Sequence, residues 1–289
     1  MSTKTGCMVL LAAIALNACP KRLSAQTSPS GTNPPATGKS AETPRVKATD
    51  SIVVSAHLTP EEIEDGKIND VYQPLYHWKR STDCPKIVEL CETKIIPMAE
   101  NSKFEATRDK FLFLANRDVA GCEMQAGQYE EAEQRYQKLL ELSSKWPGKD
   151  DSDYPQIYGS IGSARIMQGH WKEAEAALEE SIRIFDEQIE KALHSDSEFL
   201  RNEENKNLKM SEAHSRTLLA TAYFWDGRRK EAMQMLEIAY QEALQSNASP
   251  EMIRQIIENG RTAATLMGDT AAQEQWEART APPAQSHQP

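Results

Sequence analysis

Residues able to build a reactive site are present in this chain, but their spacing withholds most of the familiar chemistries. The six histidines, His57, His77, His170, His194, His214 and His287, are scattered. None belongs to a His-Glu-x-x-His pair, which would set two imidazoles and a carboxylate on one helix face for zinc. "GSIGSAR", Gly159 to Arg165, lacks the Gly-x-Ser-x-Gly frame that raises a serine into a nucleophile elbow. "KDDSDYP", Lys149 to Pro155, offers carboxylates without the glycine or the distal glutamate of a calcium loop. It reads as a loop capping the helix that follows. No cofactor and no metal are expected, and the chain is expected not to be an enzyme. The alternative is a hydrolase whose site residues are dispersed along the sequence.

Thiols are the other reactive groups. Apart from Cys7 and Cys19 the chain carries Cys84, Cys91 and Cys122, an odd set that allows at most one internal bridge. Seven helical residues separate Cα atoms by roughly 10 Å, whereas a disulfide needs them within about 7 Å. Cys84 and Cys91 therefore do not pair within one helix unless Cys84 sits in its cap. A bridge from either to Cys122 on a neighbouring helix stays open, as does the reading of all three as small buried hydrophobes.

The redox question turns on compartment. "MSTKTGCMVLLAAIALNAC" has a weakly cationic start and an apolar run of about a dozen residues, short for a bilayer span and suited to a signal-peptide core. Two ends for this leader compete. Cleavage after "LSA" makes 1–25 a signal peptide and releases a soluble chain. "LNAC" resembles a lipoprotein box that would end the leader at residue 18 and lipidate Cys19. Either way the protein is expected outside the cytoplasm, in the periplasm or cell envelope, with the membrane involved only through that lipid anchor. Residues 26–56 are rich in Pro, Ser and Thr and poor in apolar groups, so they read as a disordered linker, and 280–289 as a flexible tail. A net charge of −10 without a basic stripe argues against nucleic acid.

Between these ends, 57–279 reads as helix throughout. "TPEE", Thr59 to Glu62, carries a capping-box signature, and Ser249-Pro250 repeats a cap followed by proline. One frame recurs: "GQYEEAEQRYQKLL" from Gly127, "GHWKEAEAALEESI" from Gly169 and "GRRKEAMQMLEIAY" from Gly227. After each glycine the apolar residues fall on one helix face: Ala132, Tyr136 and Leu139, then Ala174, Leu178 and Ile182, then Ala232, Leu236 and Ala239. Apolar helical segments also precede each glycine. The unit is a helix hairpin whose glycine ends the first helix and whose alanine lets the second come close.

The frame resembles the tetratricopeptide repeat, with its small pair, Gly-x-aromatic turn and Ala-x-x-x-large helix. The first copy matches at Ala120, Gly127, Tyr129, Ala132, Tyr136 and Pro147, and the second at Tyr158, Ile161, Gly162, Gly169, Trp171 and Ala174. The third matches at Leu219, Tyr223, Gly227, Ala232 and Ala239, with Arg229 in the aromatic position. The resemblance implies an all-α solenoid of about four to five antiparallel helix pairs. Weaker copies flank it at Asp83 to Cys91 and from Gly268. Spacings of 42 and 58 residues between the three glycines exceed the family's repeat of about 34. The first spacing predicts longer helices, and the second predicts a helical arm or a solvated spacer within Ile189 to His214.

The resemblance also implies a concave groove that binds a protein partner. Carried over by alignment, the groove positions are Arg117 and Met124, then Ser163, Ile166 and Met167, then Thr217, Thr221, Phe224 and Trp225. Arg117 is the one cation among them, so a clamp for a C-terminal carboxylate is not supported. An apolar peptide or helix suits the set better. The expected role is an adaptor in the envelope, the alternative a self-assembling homo-oligomer.

Overall fold

The computed structural model describes residues 58–145 and 153–279, with side chains through Ser143 and again from Asp153. The leader, the linker, Cys19, Pro147 and the tail lie outside the described residues.

Helix α1 (Pro60–Tyr72) opens with a complete capping box. The Glu62 amide donates to Thr59 Oγ1 at 3.2 Å, and the Thr59 amide donates to Glu62 Oε2 at 2.6 Å. A 3₁₀ turn, Gln73–Tyr76, leads to α2 (Arg80–Leu90). A π-helical turn, Cys91–Ile95, joins α2 to α3 (Ile96–Glu100). The hairpins follow: α4 (Glu105–Ala126) with α5 (Tyr129–Lys145), α6 (Tyr154–Gln168) with α7 (Trp171–Leu193), and α8 (Asn205–Trp225) with α9 (Arg229–Gln245). A shorter pair, α10 (Pro250–Met267) and α11 (Thr270–Glu277), closes the stack. Each helix packs on the next along the chain from α4 to α11.

Gly127, Gly169, Gly227 and Gly268 all hold a left-handed φ, between 69° and 91°. The same pair of bonds closes each turn. At the first, the Gln128 amide reaches the Glu123 carbonyl at 2.9 Å and the Gly127 amide the Met124 carbonyl at 3.3 Å. The other three turns repeat this at equivalent positions, which is the Schellman closure that glycine permits at low strain. Asn247, at φ 54°, makes the corresponding turn between α9 and α10.

Close packing is concentrated where small residues face large ones. Ala132, Ala174 and Ala232 are fully buried, and Tyr136, Leu178 and Leu236 one turn later are nearly so. Leu178 lies over Gly162, where an added Cβ would fall 2.5 Å from its Cγ. The Trp276 indole occupies the equivalent space at Gly260, 2.3 Å from such an atom. The core runs as two main clusters, one from α1 into α7 and one from α6 to α11. Each fully buried Leu, Ile or Phe in it contributes roughly 1.5–3 kcal/mol.

Arginines strap the helices together from outside. Arg135 on α5 donates to Glu123 and Asn116 of α4, at 2.7 and 3.1 Å, and to Glu92 in the π turn at 2.5 Å. Arg165 on α6 reaches Glu133 of α5 at 2.7 Å, and Arg228 reaches Glu175 of α7 at 2.5 Å. Arg80 donates to the buried Asp118 carboxylate at 3.2 Å, which also accepts the Tyr72 hydroxyl at 2.5 Å. Cys84 on α2 is bonded to Cys122 on α4, with Cα atoms 5.3 Å apart, and Cys91 is buried outside the disulfide.

The longer spacing between Gly169 and Gly227 becomes an arm. Helix α7 runs 23 residues and α8 21, against 15 for α6. The excess pairs with itself: Phe185, Ile189, Ala192 and Leu208 form a small core of their own. Beyond it the chain turns through Leu200–Glu204, leaving Leu193, Phe199 and Leu200 exposed.

The packing predicts opposite outcomes for one substitution at two helical glycines. Gly66 on α1 has open space around a would-be Cβ. Gly66→Ala should stabilise the fold by about 0.5–1 kcal/mol in urea titration, by removing glycine's entropy cost. Gly162→Ala gains the same propensity but drives Leu178 off its position. It should destabilise by about 1–3 kcal/mol.

Candidate partner-binding face

The inner helix of each hairpin presents one side to the concavity of a stacked array. Counted back from the turn glycines, the groove positions fall 10, 6, 3 and 2 residues earlier. The structure separates them by depth. Met124, Ile166 and Phe224, three before each glycine, are buried in the core with 3–7% exposure. They pack against the neighbouring hairpin and are not available to a partner. Thr217 and Thr221 are buried too, and their hydroxyls donate along their own helix to Ala213 and Thr217 carbonyls, at 2.8 and 3.1 Å. Gly159, in the register of Arg117, lies against the Ser181 and Ser215 hydroxyls, which are 2.9 Å apart.

What remains accessible is a narrower row. Arg117, Ser163, Met167 and Trp225 are all partly exposed. Arg117 makes no ion pair among the described residues, and its Nε is buried without an acceptor. Trp225 stacks on Trp171 with ring centroids 6.1 Å apart and meets Phe224 edge-on at 5.5 Å. The buried Phe224 thus props the half-exposed indole pair, and the Arg229 guanidinium covers its other side at 5.7 Å. Met167 and Trp225 occupy the same register on consecutive hairpins. Gln125, exposed, holds that register on the first.

Alignment of the turn alone passed over one further ring of positions, 13 residues before each glycine. There stand Leu114 and His214, partly exposed, and Gln156, exposed. They lie one helical turn from Arg117, Gly159 and Thr217 on the same face. The available signal was the helix length: inner helices of 15 to 22 residues carry the face further from the turn than the repeat frame does. Although its surface is partly exposed, His214 is desolvated by the helices packed around it, which lowers its pKa to about 4.

At the root of the arm lies a charged cluster. Arg216 on α8 contacts Glu212 one turn back, and its Nε lies 2.9 Å from Glu242 on α9. Asp186 on α7, more exposed, is 3.8 Å away, and Lys209 lies near enough to favour the charged form of Glu242. One guanidinium thus faces three carboxylates. Burial, aided by the Glu242 charge, raises the Glu212 pKa to about 7, and burial also raises that of Glu242.

Glu130, Glu131, Glu173 and Glu179 are exposed. Among the described residues no group of three or more His, Cys, Asp or Glu is placed to hold a metal ion. No helix among them is long and apolar enough to cross a membrane.

Comparison with known proteins agrees with this geometry. The family model for the tetratricopeptide repeat matches residues 111–187, which take in most of α4 and run into α7. Within this chain, that segment is tetratricopeptide repeat. The solenoid is similar to the nearly identical TPR-like repeats ascribed to a kinesin light chain of Podospora anserina, at 17% identity and a TM-score of 0.50. That likeness covers 74% of this chain and 95% of the other, and it extends the tetratricopeptide fold well past the matched segment. The Bacillus thuringiensis protein PlcR, solved with the peptide PapR7 and DNA, aligns at 12% identity with a TM-score of 0.41, over 79% of this chain and 78% of its own. A search of curated proteins gives no significant match.

The arm-root cluster predicts an inverted acid response. Between pH 4.5 and about 7 the folded chain keeps a proton on Glu212 that the unfolded chain has released. Stability from this group is therefore full below pH 4.5 and is lost as pH rises through 7. Glu212→Gln should raise the melting temperature at pH 8 and leave it nearly unchanged at pH 4.5. A fall at pH 8 would mean that the Arg216 pair outweighs the desolvation.

Proposed function

We propose that this chain is a non-enzymatic protein–protein adaptor of the cell envelope, holding an apolar peptide or helix of another protein along its concave face. The observation that carries the reading is the row Met167, Trp225 and Trp171. Met167 and Trp225 are large apolar side chains, partly exposed in one register on successive hairpins. Trp171, at the start of the outer helix α7, stacks on Trp225, and Ser163 and Gln125 on the inner helices can bond a backbone. Aromatic and thioether groups kept partly in water, yet rigidly backed by Phe224, suit a binding surface at low entropic cost. Arg117 adds one free cation at the edge of the row. The partner contacts are therefore Arg117, Ser163, Met167 and Trp225, supported from below by Met124, Ile166, Thr217, Thr221 and Phe224.

The envelope setting rests on the leader-like first 25 residues, with lipidation of Cys19 as the alternative to soluble release. The Cys84–Cys122 bond is in keeping with it, since disulfides persist where the environment oxidises thiols.

Two measurements check this reading. A photo-crosslinking residue at Trp225 or Met167, irradiated in living cells, should capture one recurring envelope protein. The same residue at exposed Glu130 should not. Equal yields at all three sites would remove the groove assignment. Mass spectrometry of the purified mature chain should find it starting at Gln26 or at an acylated Cys19. An unprocessed Met1 start would remove the export reading.

A further inference from the structure

Two surfaces outside the groove, both with apolar groups, carry opposite charges. The first is the tip of the arm. Phe199 there is 62% exposed, and Leu193 and Leu200 stand beside it. Asp196 and Glu198 flank the phenylalanine, and both are exposed without an ion pair among the described residues. Exposed apolar groups cost the folded state nothing when scattered, but three gathered on a protruding turn mark a contact site.

The second is a cleft at the opposite end of the chain, between α1 and the π turn with α3. It encloses about 480 Å³ over a floor of Ile68, Pro97 and Met98, a size within the range of pockets that seat small ligands. Lys67 and Lys94 stand on its rim, and both are exposed without an ion pair among the described residues. Glu64 is the one acid lining it. The cleft exists because of the π turn, which widens the helix where α2 passes into α3 and offsets Thr93 and Lys94 from the line of α2. Acids outnumber bases in the chain, 43 to 33, and most described arginines are strapped to glutamates. Lys67 and Lys94 thus leave two positive charges beside the apolar floor for an acidic partner surface.

We propose that the arm tip of one copy docks in the α1–α3 cleft of a second copy. Phe199 enters over Ile68, Pro97 and Met98, while Asp196 and Glu198 meet Lys67 and Lys94. The contact joins two different surfaces, so it either closes as a reciprocal pair of arm exchanges or propagates head to tail. It leaves the concave row free, so a self-associated chain still presents its partner face, and the two proposals stand or fall separately.

Complementation tests it. The whole chain, as the expressing cell processes it, is followed by sedimentation velocity over a concentration series. Wild-type protein should show reversible, concentration-dependent association that weakens with salt. Phe199→Asp, which disables the tip, and the pair Lys67→Glu with Lys94→Glu, which disables the cleft rim, should each weaken it by tenfold or more. All three residues are exposed, and circular dichroism should match wild type. When the two variants are mixed, the intact cleft of one and the intact tip of the other should restore a one-to-one dimer that grows no further. Combining Asp196→Lys and Glu198→Lys with the two lysine reversals should recover association within one chain. Wild-type protein that stays monomeric at every accessible concentration overturns the proposal. So does association that survives Phe199→Asp, or a mixture that fails to complement.

Discussion

The approach of two helix backbones at each hairpin is the constraint from which the rest of the architecture follows. Ala132, Ala174 and Ala232 on the outer helices, and Ala120, Gly162 and Ala220 on the inner ones, take up almost no space. The bulky side chain one turn away can then fill the gap, as Leu178 does over Gly162. This small-against-large pairing sets the hairpin angle, and the left-handed glycine preceding it sets where the inner helix must stop. With angle and length fixed, neighbouring hairpins can only stack, and a seam of buried apolar groups lines the described stack from α1 to α11. The residues left partly exposed on the concave face are those the seam does not need.

Polar contacts then decide register. Arg135 could pair with almost any exposed glutamate, yet it is held by Glu123 and Asn116 of α4 and by Glu92 of the π turn. Exposed ion pairs are each worth little. A half-buried guanidinium shared between two neighbouring elements resists sliding, because a shifted helix would leave a carboxylate inside without a donor. Asp118, accepting from Tyr72 and Arg80, does the same where the first helices meet α4.

The fold could be read from the chain because its signals are local. Glycine, alanine and capping patterns act within a few residues, so the hairpins, the box at Thr59 and the cap at Ser249 were legible, as was a helical arm in the longer interval. Depth was not. The frame places Phe224 and Ser163 on the inner face alike, but one is covered and the other spared, and that depends on side chains from other hairpins. The π turn at Cys91–Ile95 was invisible for another reason. Its hydrogen-bond shift leaves no mark in residue type, and the run around it still reads as ordinary helix. The buried Asp109, Asn116 and Asp118 on α4 were illegible too, since an acid in a helical pattern ordinarily signals the wet side.

Stacked arrays of this kind come apart from their ends, because a terminal hairpin has a neighbour on one side only. Here the two ends are unequal. The Cys84–Cys122 bond closes a loop across 38 residues and fastens α2 to α4, a cross-link that disfavours the opened chain by about 4 kcal/mol on loop-closure grounds. The far end finishes on α11, eight residues anchored chiefly by the Trp276 indole. Fraying therefore has a direction: it starts at α11 and runs backward toward a riveted N-terminal block, so an oxidising surrounding makes the molecule a one-way zipper.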